Sequence, residues 1–143
     1  MIRKIFEKNL ASFCKNALLM SGLSEKDAET TAEVLSQTDS IGIHSHGTKN
    51  LRLYIEKIKA GALDPKAQQK VVSAGEAFAI IDAGDGMGMV SSTAAMSKAM
   101  ELAKKSGIGF VTVKNGCHFG AAGYYANMAA ERGMVCLLYT SDA

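Results

Sequence analysis

The chain has 143 residues, 48% of them hydrophobic and 21% charged, a mix that supports one buried core and argues against a disordered chain or a membrane protein. Sixteen Lys and Arg interspersed with fourteen Asp and Glu leave a net charge of +2, so no basic face gathers a polyanion, and nucleic acid is not an expected partner. No apolar run is long enough to span a membrane, Lys4, Glu7, Lys8 and Lys15 break the stretch a signal peptide needs, and Cys14, Cys117 and Cys136 form no C-x-x-C pair; a cytoplasmic protein with free thiols is expected.

From Arg3 to Met20, Ile5, Phe6, Leu10, Phe13, Cys14, Ala17 and Leu18 recur at three- and four-residue steps, which predicts a helix with one apolar face, stopped at Ser21-Gly22. Ser24 followed by Asp27 makes a capping box for a second helix over Glu25 to Ser40, with Ala28, Thr31, Ala32 and Leu35 on its inner face. Residues 41–47 form a loop. Leu51, Tyr54, Ile55 and Ile58 then define a third helix that ends at Gly61, and Pro65 follows in a turn.

Lys70 to Ser73 and Phe78 to Asp82 read as two strands joined at Gly75-Glu76. An Ala-, Met- and Lys-rich helix runs from Met89 to Ser106 and closes at Gly107, with Met96 and Met100 as core filling. Ile108 to Val113 reads as a buried strand, Gly120 to Arg132 as a helix ended by Gly133, and Met134 to Tyr139 as a further strand. Strands alternating with helices predict an α/β layered core (1–62 a helical region with a loop, 63–143 the start of the core).

Two loops concentrate reactive side chains: Ser45-His46-Gly47, and Asn115-Gly116-Cys117-His118-Phe119-Gly120 between a strand and a helix. A histidine can exchange the proton of a hydroxyl near neutral pH, and an adjacent serine can orient it or hold a substrate oxygen; equally, either histidine can simply fill a polar gap. His118 stands beside Gly120 and Gly123, which would let backbone amides approach a ligand at a helix start. Asp82-Ala83-Gly84-Asp85-Gly86-Met87-Gly88 follows a strand and opens a helix, but the third glycine of a dinucleotide fingerprint would fall at Met89. A tight turn or a close backbone approach is the better reading, and no Rossmann site is expected. His44, His46, Cys117 and His118 would be a zinc set, although adjacent Cys117 and His118 seldom point at one metal. A nucleophile and base pair built on Ser45-His46 is disfavoured, because sequence neighbours seldom face each other.

Ser45-His46-Gly47 with Leu51 and Tyr54, Asp64-Pro65, the glycines of 82–88, Gly107-Ile108-Gly109 and His118-Phe119-Gly120-Ala121-Ala122-Gly123-Tyr124-Tyr125 together resemble the type-2 malate/L-lactate dehydrogenase family, up to about Val135. The resemblance implies a non-Rossmann α/β fold, NADH or NADPH as cofactor, a small 2-hydroxy or 2-oxo acid as substrate, and a homodimer. It implies His46 as the proton donor or acceptor with Ser45 as its polar partner. It places His118, Phe119, Gly120, Ala121 and Ala122 along the cofactor and substrate cleft, His118 being a second candidate base. Many members carry an arginine on the substrate carboxylate where this chain has Asn50; Asn50 and Tyr54 are the substrate-binding candidates here, and Arg52 would lie on the opposite helix face. Family members continue well beyond this length, and the tail Leu138 to Ala143 departs from their pattern, so an N-terminal portion is expected, an inactive fragment being the alternative. The reading requires His46 to lie open, close to the turn that follows Asn115.

Overall fold

The computed structural model describes residues 4–139. Helix α1 spans Glu7–Met20; Arg3, where the sequence pattern begins, lies outside the described residues, as do 140–143 of the tail. Helix α2 spans Glu25–Ser40 and starts as expected: Ser24 Oγ accepts the Asp27 N–H at 3.2 Å and donates to the Asp27 carboxylate at 2.7 Å. A 3-10 turn at Thr48–Asn50 leads into α3, Leu51–Lys59, which stops before Gly61 at φ +72°.

Strands β1 (Lys70–Ala74) and β2 (Phe78–Asp82) pair antiparallel with Val71 opposite Ile81, and β3 (Phe110–Lys114) joins β2 in parallel with Phe78 opposite Phe110. A parallel pair needs a crossover, supplied here by α4, Gly88–Ser106, which ends on left-handed Gly107. Helix α5, Ala122–Ala130, is shorter than the pattern suggests at both ends, because Gly120 sits at φ +81° outside it and Glu131 to Gly133 close it as a turn.

The core gathers Cys14 and Leu18 of α1, Ala28, Ala32, Val34 and Leu35 of α2, Leu51 and Tyr54 of α3, Met87, Met89 and Tyr125, with Met96 packed against it; Met100 is buried as well. Burial lifts the Cys14 thiol to about 11, helped by the Asp39 charge, and all three cysteines are free.

Three expectations change. Only part of the α1 stripe is buried: Ile5, Phe6 and Phe13 stay exposed, since α2 covers the Cys14–Leu18 side alone. The third strand begins at Phe110, so Ile108 lies before it, and Phe110 is exposed because it shares with Phe78 the sheet face opposite the one, bearing Ala79 and Ile81, on which α4 packs. Met134 to Tyr139 is no strand: side chains alternate half-buried and exposed along it, but a strand exists through its neighbour's hydrogen bonds and no described segment pairs with it.

Candidate active site

The loop after α2 is tied down by a residue that the motifs do not mark. Asp39, in the last turn of α2, accepts the Thr48 N–H at 2.9 Å, the Thr48 hydroxyl at 2.5 Å and the His44 Nδ1 proton at 2.9 Å. Burial works against its charge, but these bonds outweigh it and hold the carboxyl below its ordinary range. Gly47 is what lets the loop pass so close. A Cβ there would stand 2.2 Å from the Asp39 carboxylate. An acid at a helix C-terminus opposes the helix dipole, and no basic residue shares that turn, so this was the one signal in the sequence that could have found Asp39.

On this loop His46 is exposed, and Ser45 Oγ lies 2.8 Å from its Nδ1. The two neighbours do meet, contrary to the expectation that adjacent residues face apart: the chain turns sharply, with His46 N bonded back to Ile43 O. Asn50 uses its amide to hold the Ser45 carbonyl at 2.9 Å. Arg52 is paired with Glu56 at 2.7 Å and mostly exposed, away from this cluster.

The second loop arrives from the far end of the sheet. Gly84 and Asp85, at φ +60° and +59°, form the tight turn after β2, and Asp85 N donates to Asn115 O at 2.9 Å. Asp82 accepts from Gly84 N and Asn115 Nδ2, both at 3.0 Å; the Gly84 amide first, then Asn115, keep its carboxyl below the ordinary range. Gly88 is the close approach: a Cβ would fall 2.3 Å from Cys117 O and 2.6 Å from His118 O. The run 82–88 therefore serves to seat the start of α4 against the backbone that carries His118, and Gly88 N also bonds Cys117 Sγ at 3.2 Å.

Here the two loops converge. The His46 and His118 rings lie 5.4 Å apart, and Tyr54, from α3, places its hydroxyl 2.7 Å from His118 Nδ1. One edge of His118 is thus covered while the residue as a whole remains exposed. Partial burial, then the His46 ring and the Lys57 charge, lower the His118 pKa. Lys57, one turn beyond Tyr54, was not marked by any motif; a single lysine on a helix carries no signal of its own.

Beyond His118 the chain passes through Phe119, whose carbonyl takes the Tyr125 hydroxyl, then Gly120, buried with its Cβ position 3.9 Å from His46 O, then Ala121 and Ala122 at the start of α5. The first amides of a helix have no partner within it, and a Cβ on Gly123 would meet nothing within 4 Å. The space beside Gly123 and the rings of His118 and Phe119, 6.3 Å apart, thus lie close together at the start of α5. Among the described residues no three His, Cys, Asp or Glu side chains gather where they could hold a metal, so the zinc alternative finds no ligand set. Nor is any described helix long and apolar enough to cross a membrane.

A family model described as malate/L-lactate dehydrogenase matches residues 5–143, further than the motifs alone reach. The chain is 39% identical to a malate dehydrogenase of Pyrococcus abyssi over 97% of its own length and 38% of that protein's, and 32% identical to an NAD(+) ureidoglycolate dehydrogenase of Escherichia coli over 92% and 38%. The solved malate dehydrogenase of Pyrococcus horikoshii superposes with a TM-score of 0.86 at 35% identity, covering 93% of this chain and 41% of that one. The chain thus spans about two fifths of the length of the relatives it matches.

Proposed function

The chain belongs to the malate/L-lactate dehydrogenase family, whose α/β fold it shares, and from that premise we propose that it supplies the acid–base site of an NAD(P)-dependent oxidoreductase acting on a small 2-hydroxy or 2-oxo acid. The observation that carries the proposal is the meeting of two exposed histidines from separate loops, one hydrogen-bonded to a serine and the other to a buried tyrosine. Reduction of a carbonyl needs one hydride at carbon and one proton at oxygen; oxidation of the alcohol returns both. A bound nicotinamide supplies or takes the hydride.

The rest falls to the protein. His46 gives its proton to the carbonyl oxygen in reduction and takes the hydroxyl proton in oxidation, while Ser45 holds the ring at Nδ1 so that Nε2 can reach the oxygen. His118 to Ala122 would be the residues that hold a nicotinamide, and Asn50, by fixing the Ser45 carbonyl, keeps the loop in register. The Lys57 charge, felt at both His118 and Cys117, suits an anionic substrate. A cytoplasmic homodimer is part of the proposal: the free thiols favour a reducing compartment, and the exposed Phe13 and Met20 on α1, with Phe6 just before it, offer a second copy an apolar stripe.

The test is NAD(P)H oxidation with a panel of 2-oxo acids. His46→Ala should lose about 10²-fold or more in kcat, the usual worth of a general acid. A loss below about tenfold would remove His46 from the role.

A further inference from the structure

Two hydrogen-bond donors converge on a single nitrogen at the centre of this site. Tyr54 Oη lies 2.7 Å from His118 Nδ1, and the Gly120 N–H approaches the same atom at 3.4 Å. A backbone amide can only donate, so Nδ1 must be the nitrogen with the lone pair, and the hydroxyl, which can act either way, must donate as well. In a neutral imidazole the proton then sits on Nε2.

We infer that Tyr54 is a positioning residue which, with the Gly120 amide, locks His118 as its neutral Nε2–H tautomer, making it a fixed hydrogen-bond donor to the substrate oxygen and leaving proton exchange to His46. The role toward substrate rests on the oxidoreductase reading; the tautomer does not.

The surroundings support the lock from several sides. Tyr54 is 1% exposed, so its hydroxyl has no water to turn to, and burial pushes its ionisation far above the usual range. The groups that bear on the His118 ring are Tyr54 and Lys57 from α3, His46 from the loop after α2, and Cys117 beside it. None is a carboxylate that would favour an imidazolium, and Asp39 at the end of α2 is spent on Thr48 and His44. Protonating Nδ1 would set a proton against the Gly120 amide and force the Tyr54 hydroxyl to reverse.

His46 is held differently. Its Nδ1 partner is the Ser45 hydroxyl, which donates to a bare nitrogen or accepts from a protonated one with equal ease, so His46 changes charge without losing its contact. The two rings thus divide the work: one cannot take up a proton without breaking bonds, and the other can.

Histidine-selective 15N labelling of the 143-residue chain, with long-range 1H–15N spectra assigned through His118→Gln, tests the inference. His118 should show an unprotonated Nδ1 and a protonated Nε2 as one tautomer at neutral pH. In Tyr54→Phe, which keeps the buried ring, the tautomers should mix and the His118 titration midpoint should rise by about half a pH unit or more, the worth of one lost donor. A protonated Nδ1 in the unmodified chain, or a midpoint that falls in Tyr54→Phe, would mean that Tyr54 accepts from the ring, and the inference would be overturned. Should Tyr54→Phe fail to fold, the unmodified spectrum alone decides, a mixture of tautomers counting against the lock. Absence of NAD(P)H-linked turnover would overturn the proposed function and leave the tautomer result standing.

Discussion

Replacing Gly88 with alanine should dislodge His118 although the two residues are thirty positions apart. The added Cβ would stand 2.3 Å from Cys117 O, 2.6 Å from His118 O and 2.8 Å from the His118 carbonyl carbon, and all three atoms are backbone. A carbon normally keeps at least ~3.3 Å from a carbonyl oxygen even in its closest regular contacts, so the 115–120 loop or the start of α4 must move by close to an ångström. Two effects oppose each other. Alanine in place of a helical glycine favours the fold by up to about 1 kcal/mol, whereas overpacking a seated contact costs about 1–3 kcal/mol. The net is a loss of about 1–2 kcal/mol, seen as a Tm lower by several degrees in a thermal melt. The larger consequence is geometric: an ångström of misplacement at a reacting group can cost about 10²-fold in turnover. The control is Gly123→Ala, in the first turn of α5, where a Cβ meets nothing; it should leave the Tm unchanged or raise it slightly. If Gly88→Ala melts no lower than Gly123→Ala and leaves the His118 ring signals in place, the close approach does not seat the loop.

Asp39→Ala should cost about 1–3 kcal/mol in urea unfolding, since it strands the Thr48 amide and hydroxyl that bond a charged carboxylate, and it should broaden the His46 ring signals as the loop loosens. Because the folded chain holds Asp39 below its free value of 3.8, the unfolded chain binds the extra proton, so that carboxylate's stabilisation is present above 3.8 and lost as pH falls further; the alanine variant should lack this part of the acid slope. For His118 the folded value is likewise depressed, below 6.5, and again the unfolded chain binds more protons in the gap. Stability should be complete above about 6.5 and decline as pH drops beneath it, and urea midpoints of His118→Gln should show a flatter slope there. An unaltered slope would show that burial does not oppose the His118 charge.

What the sequence made legible was local. Ser24 and Asp27 fixed the start of α2, and Gly61 and Gly107 fixed helix ends, because caps and left-handed turns are settled by residues three or four apart. The hairpin β1–β2 was readable for the same reason. Where a segment depends on a distant partner, the reading failed: the apolar alternation of Met134 to Tyr139 has nothing to pair with among the described residues, and Phe110 has the composition of a buried strand but lies on the sheet face that α4 leaves uncovered.

The site divides along the same line. His46 and His118 announce themselves by their chemistry, but the sequence could not say that they meet, since 72 positions separate them and the meeting is arranged by residues without reactive groups. Gly47 admits Asp39, Gly88 admits the backbone of 117–118, and Tyr54 rises from the core to reach Nδ1. The run of glycines at 82–88 illustrates the point: its spacing denies a dinucleotide fingerprint, and its last member, Gly88, works sterically by leaving room for the loop that bears His118. Lys57 stays silent in the sequence because a lysine on a helix surface is ordinary, and Asp39 shows there only as an acid set against the helix dipole; the fold reveals that one charges the site and the other anchors a loop. A site of this kind should tolerate changes among its exposed charges, such as Arg52 and Glu56, far better than the addition of one methyl group at Gly47 or Gly88, where the available space is already occupied by another part of the backbone or by a carboxylate.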